Sequence, residues 1–131
     1  MPLDALNHYT IRPVDLEATK DFYVTVLGLP IGYRPPLAFP GYWLYCGDVP
    51  TVHLIGPRAE ESAMPARQTG ETGLLDHIAF SCTGLGAIRA QLETHGVVYT
   101  ERVIPRDGQI QLFMHDPDGV AVELNFPPND V

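Results

Sequence analysis

Apolar and polar residues alternate over short stretches of this chain, and a period of two predicts β-strands. Two other stretches, 15–27 and 85–94, have apolar residues at helical spacing, and a glycine suited to ending a helix follows each of them closely. The order of one strand, one helix and three strands therefore occurs twice. The predicted strands cover residues 6–12, 31–33, 42–46, 51–55, 75–82, 97–103, 109–114 and 120–126.

The two copies of this order also begin alike, with LNHYTI from Leu6 and LDHIAF from Leu75. Each such unit would leave one apolar sheet face that its copy can cover, so the repeat indicates one fold of the α+β class. We predict a single domain over residues 1–131. It consists of module one (5–56), a linker (57–72) rich in Pro, Gly, Ala and Glu, and module two (73–128).

Composition excludes some classes of partner. Asp and Glu number 16 against 8 Lys and Arg, which gives a formal net charge of −8 and opposes binding to a phosphate backbone. No apolar run approaches the roughly 18 residues of a membrane span, and no signal-peptide pattern opens the sequence. Cys46 and Cys82 have neither disulfide-framework nor ligand spacing and are interpreted as buried free thiols. We therefore expect a cytoplasmic protein that binds neither nucleic acid nor membrane.

Each module offers two metal donors at matching positions. His8 and His77 stand at the start of the first strands, and His53 and Glu123 stand at corresponding points of the last strands. Histidine and glutamate suit divalent Zn, Mn, Fe, Co or Ni. A buried carboxylate is costly unless it is paired or bound to a cation. A single histidine on a strand is more often a hydrogen-bonded structural residue, but four donors in a repeat favour a site.

With these residues in view, the chain resembles the vicinal oxygen chelate superfamily, the group of glyoxalases, bleomycin-resistance proteins and extradiol dioxygenases. The matching segments are 6–29, the LDHIAF at 75–80 and FMHDPDGVAVELNF at 113–126. The resemblance implies paired βαβββ modules whose mixed sheets form a U-shaped half-barrel cup around one divalent metal ion per site. It also implies a homodimer with sites built from modules of both subunits, acting on a small molecule.

The resemblance maps the usual ligands onto His8, His77 and Glu123, with Glu123 also the candidate catalytic base. In glyoxalase I enzymes a carboxylate occupies the position of His53, which is retained here as a fourth candidate ligand. Four substrate-binding candidates complete the predicted site: Arg12, Phe39, Trp43 and Phe113. The aromatic residues among them are equally compatible with the core or its rim. His95 and His115 are interpreted as surface residues.

The fourth donor favours a glyoxalase-like lyase or isomerase, in which the metal acts as a Lewis acid and stabilises an enediolate. Glutathione is a weaker expectation, because Pro57 stands where glutathione-using relatives tend to have Asn. The alternative is an extradiol ring-cleaving dioxygenase with iron held by two histidines and one glutamate. A third hypothesis, ranked below these, is a metal-free protein that binds a drug or antibiotic.

Overall fold

The computed structural model of this protein describes residues 5–57 and 72–130. The chain divides into two compact units, Met1–Arg67 and Gln68–Val131, called module one and module two from here on. The predicted linker at 57–72 lies almost entirely outside the described residues. In the described part, no helix is long and apolar enough to cross a membrane.

Each module contains one four-stranded mixed sheet. In module one the strand order is β1-β4-β3-β2, and in module two it is β5-β8-β7-β6, with the first strand parallel to the last in each. The elements of module one are β1 (Tyr9–Ile11), α1 (Leu16–Asp21), β2 (Ile31–Gly32), β3 (Gly41–Cys46) and β4 (Val49–Ile55). Those of module two are β5 (Ile78–Ser81), α2 (Leu85–Thr94), β6 (Thr100–Val103), β7 (Ile110–His115) and β8 (Ala121–Phe126). The doubled βαβββ order and the α+β class are confirmed.

The helix of module one begins as predicted but changes its winding. The Asp15 carboxylate caps it by accepting a hydrogen bond from the Ala18 amide at 3.1 Å. An α-helix was predicted through residue 27, but after α1 the chain forms a π-helical turn over Phe22–Val26. The amide of Leu27 there donates to the carbonyl of Phe22, five residues back. Gly28 follows with φ +84°, the left-handed conformation expected after a helix.

The helix of module two has no capping side chain of its own. Gly84, the residue before α2, has φ +82° and makes no side-chain hydrogen bond. The first amide of the helix, on Leu85, instead donates to Asp130 Oδ2 at 2.9 Å. A carboxylate 45 residues away in sequence therefore supplies the cap, which a local sequence pattern cannot reveal.

Several predicted boundaries differ from the structure. Residues 47–50 lie between two predicted strands, but Val49 and Pro50 already belong to β4 and pair with Cys46 and Tyr45. The strands predicted at 6–12, 75–82 and 97–103 are shorter than expected. The prediction of buried thiols was wrong, because Cys46 and Cys82 are free but only half-buried.

The helix of each module covers one face of its sheet and leaves the other face available. Tyr42 of β3 donates to Glu17 of α1 at 2.6 Å, which places the helix on the face that also carries the buried Leu54. In module two, Arg89 of α2 donates to Glu101 of β6, which pairs with the buried Leu112. Because side chains alternate along a strand, the residues next to these lie on the opposite, helix-free face.

Candidate functional site

The helix-free faces of the two modules correspond residue by residue. Across module one, one row of paired residues runs Thr10, His53, Trp43 and Gly32. The equivalent row of module two runs Ala79, Glu123, Phe113 and Thr100. The repeat inferred from sequence therefore extends to strand register, with a histidine in one module where the other has a glutamate.

In module one, three rings stack across neighbouring strands. The ring of His8 lies 3.8 Å from that of His53, centroid to centroid, with 12° between the planes. Trp43 covers the other side of His53 at 4.0 Å and 10°. A metal ion binds in the plane of an imidazole, and two parallel planes this far apart share no such position. In this stacked arrangement His8 and His53 therefore cannot both ligate one ion.

The first histidine of each module is oriented by the residue before it. His8 Nδ1 donates to Asn7 Oδ1 at 2.6 Å, and His77 Nδ1 donates to Asp76 Oδ2 at 2.7 Å. The proton of a neutral ring is thereby on Nδ1, and the lone pair of Nε2 is available to a metal. The short polar residue that opens both copies of the repeat thus has the role of an orienting partner.

His53 is oriented the opposite way. Its Nε2 donates to the carbonyl of Pro50 at 3.0 Å, so Nδ1 carries the free lone pair. The pKa of His53 lies below its ordinary value because the ring is buried, and the neighbouring His8 and Arg34 lower it further. His53 is therefore neutral at pH 7, with one nitrogen available for a ligand.

In module two a histidine meets a carboxylate. His77 Nε2 lies 3.1 Å from Glu123 Oε1, while Nδ1 of the same ring donates to Asp76. The pKa of His77 is raised, first by the hydrogen bond to Asp76 and then by the charge of Glu123. In a neutral His77, Nε2 and Oε1 are both acceptors and repel each other. This pair is favourable only when a cation, a proton or a metal ion, is shared between the two atoms.

The buried carboxylate of Glu123 is held by side-chain amides. Glu123 Oε2 accepts from Gln111 Nε2 at 3.0 Å and from Asn125 Nδ2 at 2.8 Å. Gln111 also donates to Asn125 Oδ1 at 2.9 Å, and its own Oε1 accepts two hydrogen bonds from Arg102. Oε2 of Glu123 thus accepts the two amide hydrogen bonds, and Oε1 is the oxygen that faces His77.

A cleft adjoins this network in module two. It has a volume of about 400 Å³ and is lined by Ser81, Thr83, Gln109, Asn125 and Phe126 among others. Asn125 both lines the cleft and holds Glu123. A small molecule in the cleft would therefore lie one side chain away from the carboxylate.

Within neither module, over the residues that the structure describes, do three or more His, Cys, Asp or Glu side chains gather as a metal site would require. Each module instead brings two candidate donors together, His8 with His53 and His77 with Glu123. The four-ligand set stays a prediction.

The aromatic candidates have structural neighbours of their own. Trp43 stacks on His53, Phe39 lies 5.2 Å below the guanidinium of Arg34, and Phe113 lies 5.5 Å from that of Arg102. Arg12, also named as a substrate contact, directly follows β1 and is half-buried. The substrate-binding roles of all four stay predictions. His95 and His115 are exposed, as predicted.

Sequence reasoning missed Gln111, Asn125, Arg102 and Arg34. Gln111 had a visible signal, because residues 109–114 alternate between polar and apolar and so predict a polar face. Nothing local connected that face to Glu123. The connection comes from strand register, since Gln111 pairs with Asn125 and Arg102 pairs with Gln111.

Fold and residues together place this chain in a known family. Residues 5–124 match the Glyoxalase/Bleomycin resistance protein/Dioxygenase superfamily, and the chain belongs to it. It is 33% identical to Glyoxylase I 4 of Arabidopsis thaliana over 125 residues, which are 93% of this chain and 70% of that protein.

Two solved structures show how widely the fold is used. The lactoylglutathione lyase from Agrobacterium tumefaciens is 22% identical with a TM-score of 0.67, and the alignment covers 96% of both chains. TnmS3, an antibiotic binding protein from Streptomyces sp. CB03234, is also 22% identical with a TM-score of 0.64, over 97% of this chain and 98% of that one. Both share the fold, so fold alone does not choose between a lyase and a binding protein.

Proposed function

We propose that this protein is a divalent-metal-dependent, glyoxalase-like lyase or isomerase acting on a small molecule with adjacent oxygens. His8, His77 and Glu123 would hold the metal, and His53, the predicted fourth ligand, would have to leave its stack on His8 to join them. The 33% identity to Glyoxylase I 4 supports this reaction class over the others in the superfamily.

One observation carries the proposal: the 3.1 Å contact between His77 Nε2 and Glu123 Oε1, with Nδ1 already committed to Asp76. Two acceptor atoms at this distance need a cation between them or a proton on the ring. Histidine nitrogen and carboxylate oxygen are ligands that Zn, Fe, Co, Ni and Mn accept. The donor chemistry of module two therefore fits a divalent metal.

When bound, such a metal supplies Lewis-acid polarisation of two neighbouring substrate oxygens. The protein's own part is to orient the ligands and move a proton. Because Glu123 Oε2 is occupied by two amide donors, Oε1 is the atom that ligates or that takes a proton from the substrate carbon and returns it to the next carbon. The cleft beside Asn125 gives the rest of a substrate a place near that oxygen.

The test compares His77→Ala and Glu123→Gln with His95→Ala, an exposed histidine in the same module that serves as the matched control. Metal content after purification and affinity for added Zn²⁺ and Ni²⁺ are measured, together with isomerisation of the hemithioacetals of methylglyoxal. We expect both site variants to lose about a hundredfold or more in metal affinity, because each removes a direct ligand, while His95→Ala stays at the parent value. Equal metal affinity in all three variants would refute the proposal.

A second function, extradiol ring cleavage, is favoured by the ring stack in module one. Since His8 and His53 cannot ligate one ion while stacked, the ligand set reduces to two histidines and one carboxylate. That set is typical of non-haem iron oxygenases. Iron in the purified protein, with a yellow product from a catechol and no hemithioacetal isomerisation, would select this alternative.

The third function is metal-free binding of a drug or antibiotic, as in the structurally similar TnmS3. It requires that no divalent metal bind and that His8→Ala and Glu123→Gln leave ligand affinity unchanged. The homodimer with shared sites and the cytoplasmic location also stay predictions, to be checked by light scattering and by cell fractionation.

A further inference from the structure

Each module has an arginine at the same register position on the helix-free face. Gly32 pairs with Trp43, and Arg34 stands two residues further along. Thr100 pairs with Phe113, the residue equivalent to Trp43, and Arg102 again stands two residues further along. The two arginines are therefore equivalent by the repeat, and their surroundings can be compared directly.

In module two Arg102 donates to a side chain of the neighbouring strand. Two of its nitrogens, Nε and Nη2, donate to Gln111 Oε1 at 3.0 and 2.6 Å. Gln111 in turn donates to Glu123. Arg102 thus belongs to the network that holds the carboxylate.

In module one the position equivalent to Gln111 is Gly41, since Gly41 pairs with Ile55 as Gln111 pairs with Asn125. The missing side chain has a steric reason. A Cβ on Gly41 would lie 2.3 Å from the carbonyl oxygen of Leu54 and 3.0 Å from Arg34 Nη2. Arg34 therefore lies across the sheet in the space that a side chain on residue 41 would occupy.

Arg34 has no acidic partner among the residues that the structure describes. Its Nη2 donates to the carbonyl oxygen of Phe39 at 2.9 Å. The central carbon of the guanidinium also lies over the Phe39 ring, 5.2 Å from the ring centroid. Its Nε is buried and has no acceptor among the residues that the structure describes. An unsatisfied buried donor destabilises the fold, and an arginine turned towards water would avoid that cost. The side chain is thus held in place beside the ring stack at an energetic cost.

We infer that Arg34 binds an oxyanion of the substrate, a carboxylate or a phosphate, next to the His53–Trp43 stack. The guanidinium is pinned by one carbonyl and one aromatic ring, and it keeps donors that no described protein group uses. A Cβ on Gly41 would lie 3.0 Å from Arg34 Nη2, and Gly41 stands two residues before Trp43 on β3, so the guanidinium lies close to the stack. The inference deepens the proposed function and rests on it, because it assigns the substrate a negative group besides its adjacent oxygens.

The test uses a matched pair of chelating probes, 3,4-dihydroxybenzoate and 3,4-dihydroxybenzamide, which carry a carboxylate and a neutral carboxamide of similar shape at the same ring position. Calorimetry with the Zn²⁺-loaded protein avoids turnover. We expect the benzoate to bind about tenfold or more tightly than the benzamide, because a hydrogen bond to a charged group contributes roughly 1.5–3 kcal/mol. The preference should fall to about twofold or less in Arg34→Gln, with benzamide affinity unchanged, and should recover in part in Arg34→Lys.

Arg106→Gln, at an exposed arginine of module two, is the matched control and should keep the parent preference. A charge preference that persists in Arg34→Gln, or that is missing from the parent protein, would overturn the inference.

A second measurement does not depend on the metal. In the metal-free protein with ¹⁵N-labelled arginine, the buried Nε–H of Arg34 should give a resolved signal that shifts and saturates with inorganic phosphate, while that of Arg106 does not. If Zn²⁺ binds but the Arg34 signal is insensitive to phosphate, the oxyanion site is refuted and the proposed function stands. If Zn²⁺ does not bind but the signal responds, the proposed function fails and the oxyanion site stands.

Discussion

The two modules share strand order, register and a histidine at the same starting position, yet their helix-free faces have opposite chemistry. Module one presents stacked rings and an arginine that is not paired with a described acid. Module two presents the buried Glu123, which accepts hydrogen bonds from two side-chain amides. Its Arg102 donates to one of these, Gln111. One substitution pair accounts for much of this contrast, His53 against Glu123 at equivalent points of β4 and β8.

A second pair, Gly41 against Gln111, decides what each arginine does. Gln111 accepts from Arg102 and donates to Glu123, so in module two one side-chain amide links the guanidinium to the carboxylate. With glycine at position 41, Arg34 lies over the strand and keeps donors from which no described residue accepts. The repeated strand order has thus given one face on which an amide links the arginine to a carboxylate, and one on which the arginine lies over a glycine and is not paired with a described acid.

Of the substitutions that test the contrast between the modules, the one that removes the Gln111 amide of module two should have the largest effect. Gln111→Leu keeps a similar volume but takes from Glu123 one of its two donors and from Arg102 its acceptor. We expect divalent-metal affinity to fall about 10–100-fold, the usual result of losing a group that orients a ligand. Competition with a chromogenic chelator measures it.

Gln91→Leu, on the exposed side of α2, provides the control for this substitution and should bind metal as the parent does. If Gln111→Leu folds normally and keeps full metal affinity, the amide network has no part in positioning Glu123.

In the metal-free protein, the pKa values of His53 and His77 should be shifted in opposite directions from that of a free histidine. The pKa of His53 is lowered by burial and by its positive neighbours, and that of His77 is raised by Asp76 and Glu123. His53 then stabilises the fold above the pKa of an unfolded histidine, and this contribution is lost as pH falls through its own value. His77 stabilises the fold at low pH and loses its contribution as pH rises through its raised value.

Imidazole ¹⁵N NMR over a pH titration of the metal-free protein checks the order. His77 should protonate at the higher pH and His53 at the lower pH, and Asp76→Asn should bring the His77 midpoint down. Coincident midpoints for the two rings would contradict the assigned hydrogen bonds.

The smallest effects concern the two helix starts. Asp15→Ala removes a cap supplied from within module one, and Asp130→Ala removes the distant carboxylate that caps α2. Each should cost about 1 kcal/mol of unfolding free energy in urea denaturation. Asp48→Ala, an exposed turn residue, should cost much less. If Asp130→Ala is as neutral as this control, the long-range cap contributes nothing to stability.

The features of the fold and site that could be predicted from the sequence are those that depend on a local residue pattern. The strands, both helices and the repeat of LNH and LDH come from periodicity and glycine placement, which depend on neighbouring residues alone. The candidate donors His8, His53, His77 and Glu123 followed from that repeat. The π-helical turn over Phe22–Val26 did not, because the apolar spacing there fits an α-helix and does not indicate that the Leu27 amide bonds five residues back.

The sequence by itself determined the doubled βαβββ order, the class of fold and the positions at which donors recur. Only the tertiary structure decided what those donors face: that His8 lies on His53, that Gln111 and Asn125 hold Glu123, and that Arg34 lies over Gly41. The physical reason is that, apart from the Asn125–Glu123 contact within β8, these contacts join separate segments of the chain that strand pairing brings together. Strand order and register set them, above all the parallel pairing of first and last strands, and these are fixed by long-range pairing rather than by local residue spacing.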